Sequence, residues 1–422
     1  MHTMQVIKNA SRKTKVALKV LRTGGVLAFL ILWVRFTEKM LLRLSRNTQS
    51  QKHLIDTKVK YRDALMADYT KPLKKWPGTK KKSLTFNWLM PPPGKGSGGH
   101  FNIFRFIQYL EGAGHTCRIY LYTQHEPGRV SDVRTLMGDS YPKLNATMTW
   151  LENCNDMQNA DGIFATSWET AYAAFNAKTI GKRFYFVQDF EPYFYPAGSL
   201  STLAENTYRF GYFGVTAGKW LATKLRDEYG MQTDYFDFSA DRELYSMSNT
   251  SERKEIFFYA RPYTARRGFE IGIMALDLFH KKHPEYTINF AGWDVSTYDV
   301  PFPYKNLKTL ELDELGKLYN RCAAGLVMSL TNMSLLPLEL LSCGTIPVVN
   351  KGANNHLVSE NPYIAYTENN PAALADRLSE VVTHKDRLAR ARAAADSIGD
   401  GGWDQSGEKF IQIVERETRR RG

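Results

Sequence analysis

Residues 329–349 read SLTNMSLLPLELLSCGTIPVV. The stretch follows a strand-like run at 325–328, passes through a helix at 336–342 and enters a second strand-like run at 346–349. Strand, helix and strand in that order build a parallel sheet covered on its faces. Glu339 falls inside the otherwise apolar helix. A carboxylate so placed is costly unless it meets hydrogen-bond donors. A ribose diol would supply two, and a backbone or basic neighbour is the alternative.

The same alternation extends in both directions. Upstream, 83–90 reads as a buried strand, 94–100 as a Gly-rich loop, 101–110 as a helix and 117–122 as the next strand. Short apolar runs at 162–165, 184–187 and 213–216 continue the pattern. Residues 246–252 (SMSNTSE) form a polar break, after which strands at 256–259 and 288–291 alternate with helices at 268–280 and 315–319. A helix at 371–382 comes after the central stretch. The expectation is α/β: two Rossmann-like domains facing across a cleft, one over 81–245 and one over 246–402. A last helix over 403–422 packs back on the first. Ligands of such sheets bind beyond the carboxyl ends of the strands, so the site belongs in the cleft.

A chain of 422 residues is too long for one core. With 43% hydrophobic and 23% charged residues it is neither disordered, collagen-like nor a polytopic membrane protein. Cys117, Cys154, Cys322 and Cys343 lie far apart, which argues against a disulfide scaffold or zinc module and points to a reducing, cytoplasmic compartment.

The charge is uneven. Residues 1–82 carry 20 Lys/Arg against 4 Asp/Glu, and the rest carry 36 against 39. The near-neutral body argues against a nucleic-acid enzyme. Within the basic, helical extension expected over 1–80, residues 24–34 (GGVLAFLILWV) are apolar without interruption. As a helix they reach roughly 16 Å, about half a bilayer's hydrocarbon thickness. Basic residues on both sides suit a helix lying on an anionic membrane face, through residues 1–50; an arm docked on the body or on a second subunit is the alternative. The charged residues after the run argue against a secretory signal.

Three further motifs carry candidate chemistry. Gly94, Gly96 and Gly99 satisfy GxGxxG between a strand and a helix, but no carboxylate closes the next strand as a dinucleotide site requires. Gly98, Gly99 and His100 are therefore read as a helix start facing a phosphate or sugar. Asp189 and Glu191, in an aromatic-rich run ending a strand, suit a hydroxyl-rich ligand. As a single pair they make a poor metal site. Arg261, Arg266 and Arg267 open the first helix of the second half, where fixed guanidinium groups can stabilise a diphosphate leaving group.

These residues resemble the GT-B glycosyltransferases of family 4. Leu335, Leu338-Glu339, Gly344 and Pro347-Val348-Val349 match that family's motif in register. Arg261 and Arg267-Gly268 resemble its basic diphosphate-binding pair with one extra residue between them, and Ala291-Gly292 and Leu315-x-x-Leu318-Tyr319 match further family positions. The details around 188–191, 98–100 and 334–339 look most like rhamnosyltransferases of bacterial surface-glycan assembly. The resemblance spans 83 to about 417 and excludes the basic extension. It implies a retaining, metal-independent transfer of sugar to a glycan acceptor, with dTDP-L-rhamnose as co-substrate and no other cofactor. Arg261 and Arg267 would hold the diphosphate, Glu339 the ribose, and Thr331, Asn332, Ser334 and Leu335 the nucleotide-sugar. His100, Asp189 and Glu191 would form the catalytic and acceptor side with Gly98 and Gly99. Thr331 stands where the family has its first Glu. A non-catalytic polysaccharide-binding scaffold and a dinucleotide oxidoreductase are the other readings.

Overall fold

The computed structural model describes residues 56–94, 96–125, 127–138, 141–399 and 402–421. The apolar run at 24–34 lies outside them, and residues 57–422 form one compact unit. The expected helical extension differs in its described part. Only α1 (Tyr61–Met66) is helical, because Pro72, Pro77 and Gly78 interrupt the chain between it and the first strand. The segment is tied to the first lobe instead. Val59 is buried, the Tyr122 hydroxyl donates to Asp63 at 2.6 Å, and Lys81 pairs with Asp161 at 2.9 Å.

The first lobe runs in the order β1 (Thr85–Met90), α2 (Gly98–Gly112), β2 (Thr116–Leu121), α3 (Val130–Met137) and β3 (Thr147–Trp150). After these come β4 (Gly162–Ala165), α4 (Trp168–Asn176), β5 (Lys182–Val187), α5 (Ser199–Asn206), β6 (Phe213–Ala217), α6 (Lys219–Tyr229) and β7 (Gln232–Phe236). The seven strands are parallel in the order β3-β2-β1-β4-β5-β6-β7. The second lobe contains β8 (Glu255–Tyr259), α7 (Phe269–Lys282), β9 (Thr287–Ala291), β10 (Lys305–Asn306), α8 (Leu312–Arg321) and β11 (Cys322–Val327). It continues through α9 (Leu336–Ser342), β12 (Ile346–Asn350), α10 (Ala353–His356), β13 (Ala365–Thr367), α11 (Pro371–Val382) and α12 (Arg387–Asp396). Its six strands are also parallel, in the order β10-β9-β8-β11-β12-β13. Strand order reverses at β1/β4 in one sheet and at β8/β11 in the other. Each reversal splays neighbouring loops apart and opens a crevice at the carboxyl edge.

Aromatic rings fill one face of the first sheet. Trp88 stacks on Phe164 at 4.1 Å between centroids, and Phe164 stacks on Phe184 at 4.7 Å. Gly162 makes room for this ladder, since a Cβ there would lie 2.6 Å from the Phe86 ring. The last helix, α13 (Asp404–Arg419), returns from the second lobe to cover that face. It buries Phe410 against Trp88, Phe106, Phe164, Phe186 and Phe236. His115 and Glu415 at 2.9 Å and Trp76 Nε1 donating to the Thr418 carbonyl at 2.7 Å fix it in place.

The Phe410 ring is fully buried. Phe410→Ala should therefore cost about 3–5 kcal/mol, read as a lowered urea midpoint of the full chain. An unchanged midpoint would show that α13 is not part of the first lobe's core.

Candidate active-site cleft

On the second lobe, β8 delivers its chain into a turn in which Thr264 N donates to the Arg261 carbonyl at 2.9 Å. A short 3-10 turn (Ala265–Arg267) comes next, and Gly268 takes a left-handed φ of 54° to start α7. Arg261 donates through Nη1 to the Gly292 carbonyl at 3.0 Å, and Arg267 donates to Ser329 Oγ at 3.0 Å. Burial pulls the Arg267 pKa down, with Asp189 working in the opposite sense. Both arginines thus leave the loop after β8, Arg261 reaching toward the end of β9 and Arg267 across the β8/β11 crevice, each oriented through one nitrogen.

The loop from Ser329 to α9 is braced from behind by an asparagine set that the sequence reading did not pick out. Asn350, Asn354 and Asn355 all donate to the Ser329 carbonyl, at 3.0, 2.9 and 3.2 Å. Asn350 also accepts from Ser329 N at 2.8 Å. The front of the loop crosses to the first lobe. Thr331 Oγ1 donates to Asp189 Oδ2 at 3.0 Å and Asn332 N to Asp189 Oδ1 at 2.9 Å. The Asn332 side chain donates to the carbonyls of Gln188 at 3.0 Å and Ala217 at 2.9 Å. Arg266 Nε lies 3.3 Å from Asp189 as an ion pair without hydrogen-bond alignment, and its guanidinium covers the Phe194 ring at 4.3 Å.

In this geometry several of the expected site residues are engaged by other protein groups. Asp189 accepts from Phe190 N, Asn332 N and Thr331, so both its oxygens are engaged, each in a bond that joins the lobes. Thr331 and Asn332 bond to the first lobe, because that lobe offers a carboxylate and two carbonyls at this point. Leu335 packs against the first lobe's aromatic core. Of the polar trio, Ser334 keeps a buried hydroxyl with no partner among the described residues.

His100 is also occupied. Its Nε2 donates to the Pro91 carbonyl at 3.0 Å, which leaves Nδ1 to accept from Ser97 Oγ at 2.9 Å. Burial lowers its pKa, so the ring is a neutral pin for the glycine loop. Gly98 and Gly99 begin α2, and the Gly99 carbonyl accepts from Gln188 Nε2 at 3.1 Å. Glu191 accepts from the Tyr185 hydroxyl. Burial, with Glu169 close by, raises its pKa well above the usual carboxylate range, and burial raises that of Glu169 too. Glu191 is thus held to a tyrosine and retains its proton more strongly than a free carboxyl. Glu169, at the start of α4, escaped the sequence reading because it stands far from Glu191 along the chain.

Glu339 differs from these. Its carboxyl makes no hydrogen bond among the described residues, and burial pushes its pKa up to about 7, with Arg105 lowering and Asp241 raising it. Arg105 comes from α2 on the opposite lobe, stacked 4.1 Å from the Trp403 ring centroid and 5.0 Å from that of Phe101. The one signal for it was an arginine inside a helix of buried Phe104 and Phe106. An ionised Glu339 there has open acceptor sites, the property that a diol ligand requires.

Two sheets of this topology, a shared cleft and a carboxyl-terminal helix crossing back define the GT-B fold of glycosyltransferases. Solved structures agree on that fold. A glycosyltransferase from Rickettsia africae superposes with a TM-score of 0.53 at 12% identity, over 80% of this chain and 99% of that one. TarM gives 0.59 at 8% identity, over 82% and 100%. An alpha-glucosyltransferase in complex with UDP and a mismatched 13-mer DNA gives 0.53 at 15% identity, over 79% and 100%. Closer in sequence, residues 149–217 match the WsaF N-terminal domain and residues 254–379 the WsaF C-terminal domain. The O-antigen biosynthesis protein RfbC of Myxococcus xanthus is 29% identical over 340 residues, 78% of this chain. This chain spans only 27% of that protein's length.

Glu339 supplies a pH test. Its folded pKa of about 7 lies above the ordinary 4.5, so between these values the folded protein binds more protons than the unfolded one. Stability contributed by this site is therefore present below about pH 4.5 and lost as pH rises through 7, on the order of 3 kcal/mol in all. Glu339→Gln should remove that loss, giving a smaller difference between urea midpoints at pH 5.5 and pH 8 than in the parent. An identical difference in both proteins would show that the carboxyl is solvated.

Proposed function

We propose that this chain is a glycosyltransferase of surface-glycan assembly that moves L-rhamnose from dTDP-L-rhamnose to a glycan acceptor, with retention and without a metal. The observation that carries the reading is Arg261 and Arg267 on one loop at the cleft with, on the helix after β11, a Glu339 carboxyl that makes no hydrogen bond among the described residues. The first two match a diphosphate and the third a ribose diol. The WsaF domain matches and the O-antigen relative support surface glycan as the setting, and the rhamnose donor comes from the sequence resemblance.

In this mechanism the diphosphate lies between Arg261 and Arg267, whose charges stabilise it as the anomeric C–O bond breaks. The acceptor hydroxyl approaches from the same face, and the leaving phosphate oxygen takes its proton. No separate base is needed, which agrees with Asp189 being committed to the lobe contact. The two lobes exclude water from the donor.

Arg261→Ala and Arg267→Ala should each reduce transfer about 10²–10³-fold while leaving the thermal midpoint near that of the parent. Retained transfer in the double variant would refute the diphosphate assignment. Chelation with EDTA should leave transfer unchanged, and recovery of a lost activity by manganese would overturn the metal-independent mechanism. Thr331 in place of an acidic residue favours one other reading, a glycan-binding scaffold. Slow donor hydrolysis by the purified protein separates the two, since only the enzyme shows it.

We further propose a cytoplasmic protein held at the membrane face through residues 1–50. Deleting those residues should move the protein from the membrane fraction to the supernatant, and no movement would favour a protein-docked arm.

A further inference from the structure

Among the described residues six aromatic side chains are exposed, and four of them follow the carboxyl ends of β5, β8 and β9. Tyr193 and Phe194 lie on the turn after β5, 54% and 38% exposed. Tyr263 lies on the turn after β8, 75% exposed, and Trp293 on the loop after β9, 43% exposed. Tyr263 and Trp293 meet edge to face, with centroids 5.3 Å apart.

These rings belong to one edge. Tyr263 precedes Arg266 by one turn of chain, and Arg266 covers Phe194 from the other lobe at 4.3 Å. Trp293 comes directly after Gly292, whose carbonyl orients Arg261. The loop under Trp293 is held firmly. Asp294 accepts from Ser296 N at 3.0 Å and Asn306 Nδ2 at 2.7 Å, and pairs with Lys308 at 3.2 Å. Gly292 itself has a φ of 121° and sits where a Cβ would come within 2.8 Å of the Tyr259 ring. At the other end Lys224 lies 4.5 Å from the Phe190 ring centroid and 5.8 Å from that of Tyr193.

We infer that Trp293, Tyr263, Phe194 and Tyr193 form a track for an extended carbohydrate chain, the acceptor glycan, along the rim of the cleft. The inference rests on the glycosyltransferase reading above. Aromatic faces carry negative quadrupoles that attract the weakly positive C–H faces of pyranose rings, while arginine, lysine and aspartate beside them suit hydroxyls. A lipid chain would want an unbroken apolar patch, and here Arg266 interrupts it. A nucleobase would occupy one ring pair only. Pairs on both lobes, with the diphosphate cations between, fit a polymer whose end enters the cleft.

The test uses the full chain and O-chain polysaccharide released from lipopolysaccharide by mild acid. In affinity gels containing that polysaccharide the parent should be retarded, and Tyr263→Ala combined with Trp293→Ala should lose the retardation. Trp293→Phe should keep it. In transfer assays the double variant should raise the acceptor KM about tenfold for octasaccharides and little for disaccharides, with kcat retained. Should the double variant unfold, Tyr193→Ala on the other lobe tests the same track. Retardation or KM indifferent to these changes, or a parent that is not retarded, overturns the track. Retardation lost in the variants of a protein that neither transfers nor hydrolyses any nucleotide-sugar leaves the track standing and overturns the enzyme.

Discussion

The cleft depends on a contact between its lobes, the carboxylate of Asp189 received by Thr331 and Asn332. Two donors and Arg266 meet one carboxylate where the sheet edges face each other, and Asn332 adds bonds to two first-lobe carbonyls. Such bonds are directional and sheltered, so they set how the loop before α9 lies. The asparagine brace then holds the loop's other side. The cations after β8 are positioned relative to that loop, because Arg267 reaches Ser329 across the crevice.

This arrangement divides the charges by task. Arg266 is largely spent on Asp189 and Phe194, whereas Arg261 and Arg267 each keep nitrogens free of protein partners among the described residues. Three arginines in sequence are therefore not equivalent in space. Glu339, by contrast, is held away from donors and sits near Arg105 of the opposite lobe. Its elevated pKa reflects burial that the nearby Arg105 offsets only in part.

The rigidity of this edge comes from the core beneath it. Stacked aromatics from β1, β4, β5 and β7 meet α13, so the first lobe's sheet is backed by a helix from the chain's end. The strap at 57–82 adds anchorage on the other side through Asp63, and holds α13 itself through Trp76.

Much of the fold was legible. The apolar strands at 85–90, 256–259 and 346–350 announce themselves because they are buried on both faces, and β11, read at 325–328, begins three residues earlier at Cys322. The edge strands β3, β7, β10 and β13 did not and have no counterpart in the sequence reading, since a strand with one neighbour tolerates Thr, Gln, Asp and Lys. The helix at 371–382 was readable to its ends from its periodicity and Pro371.

For the site, the chain alone determined which chemistry was present: arginines after β8, a lone carboxylate in an apolar helix, a Gly-rich helix start. Residue type and local spacing are enough for that, because helix and strand periodicity decide which face a group occupies. Only the tertiary structure decided who meets whom. Asp189 and Thr331 are 142 positions apart, and Arg105 approaches Glu339 from another domain. Local pattern holds no information on pairings between lobes, where burial and partners, rather than sequence neighbours, determine whether a carboxylate is a latch, a proton holder or an open acceptor.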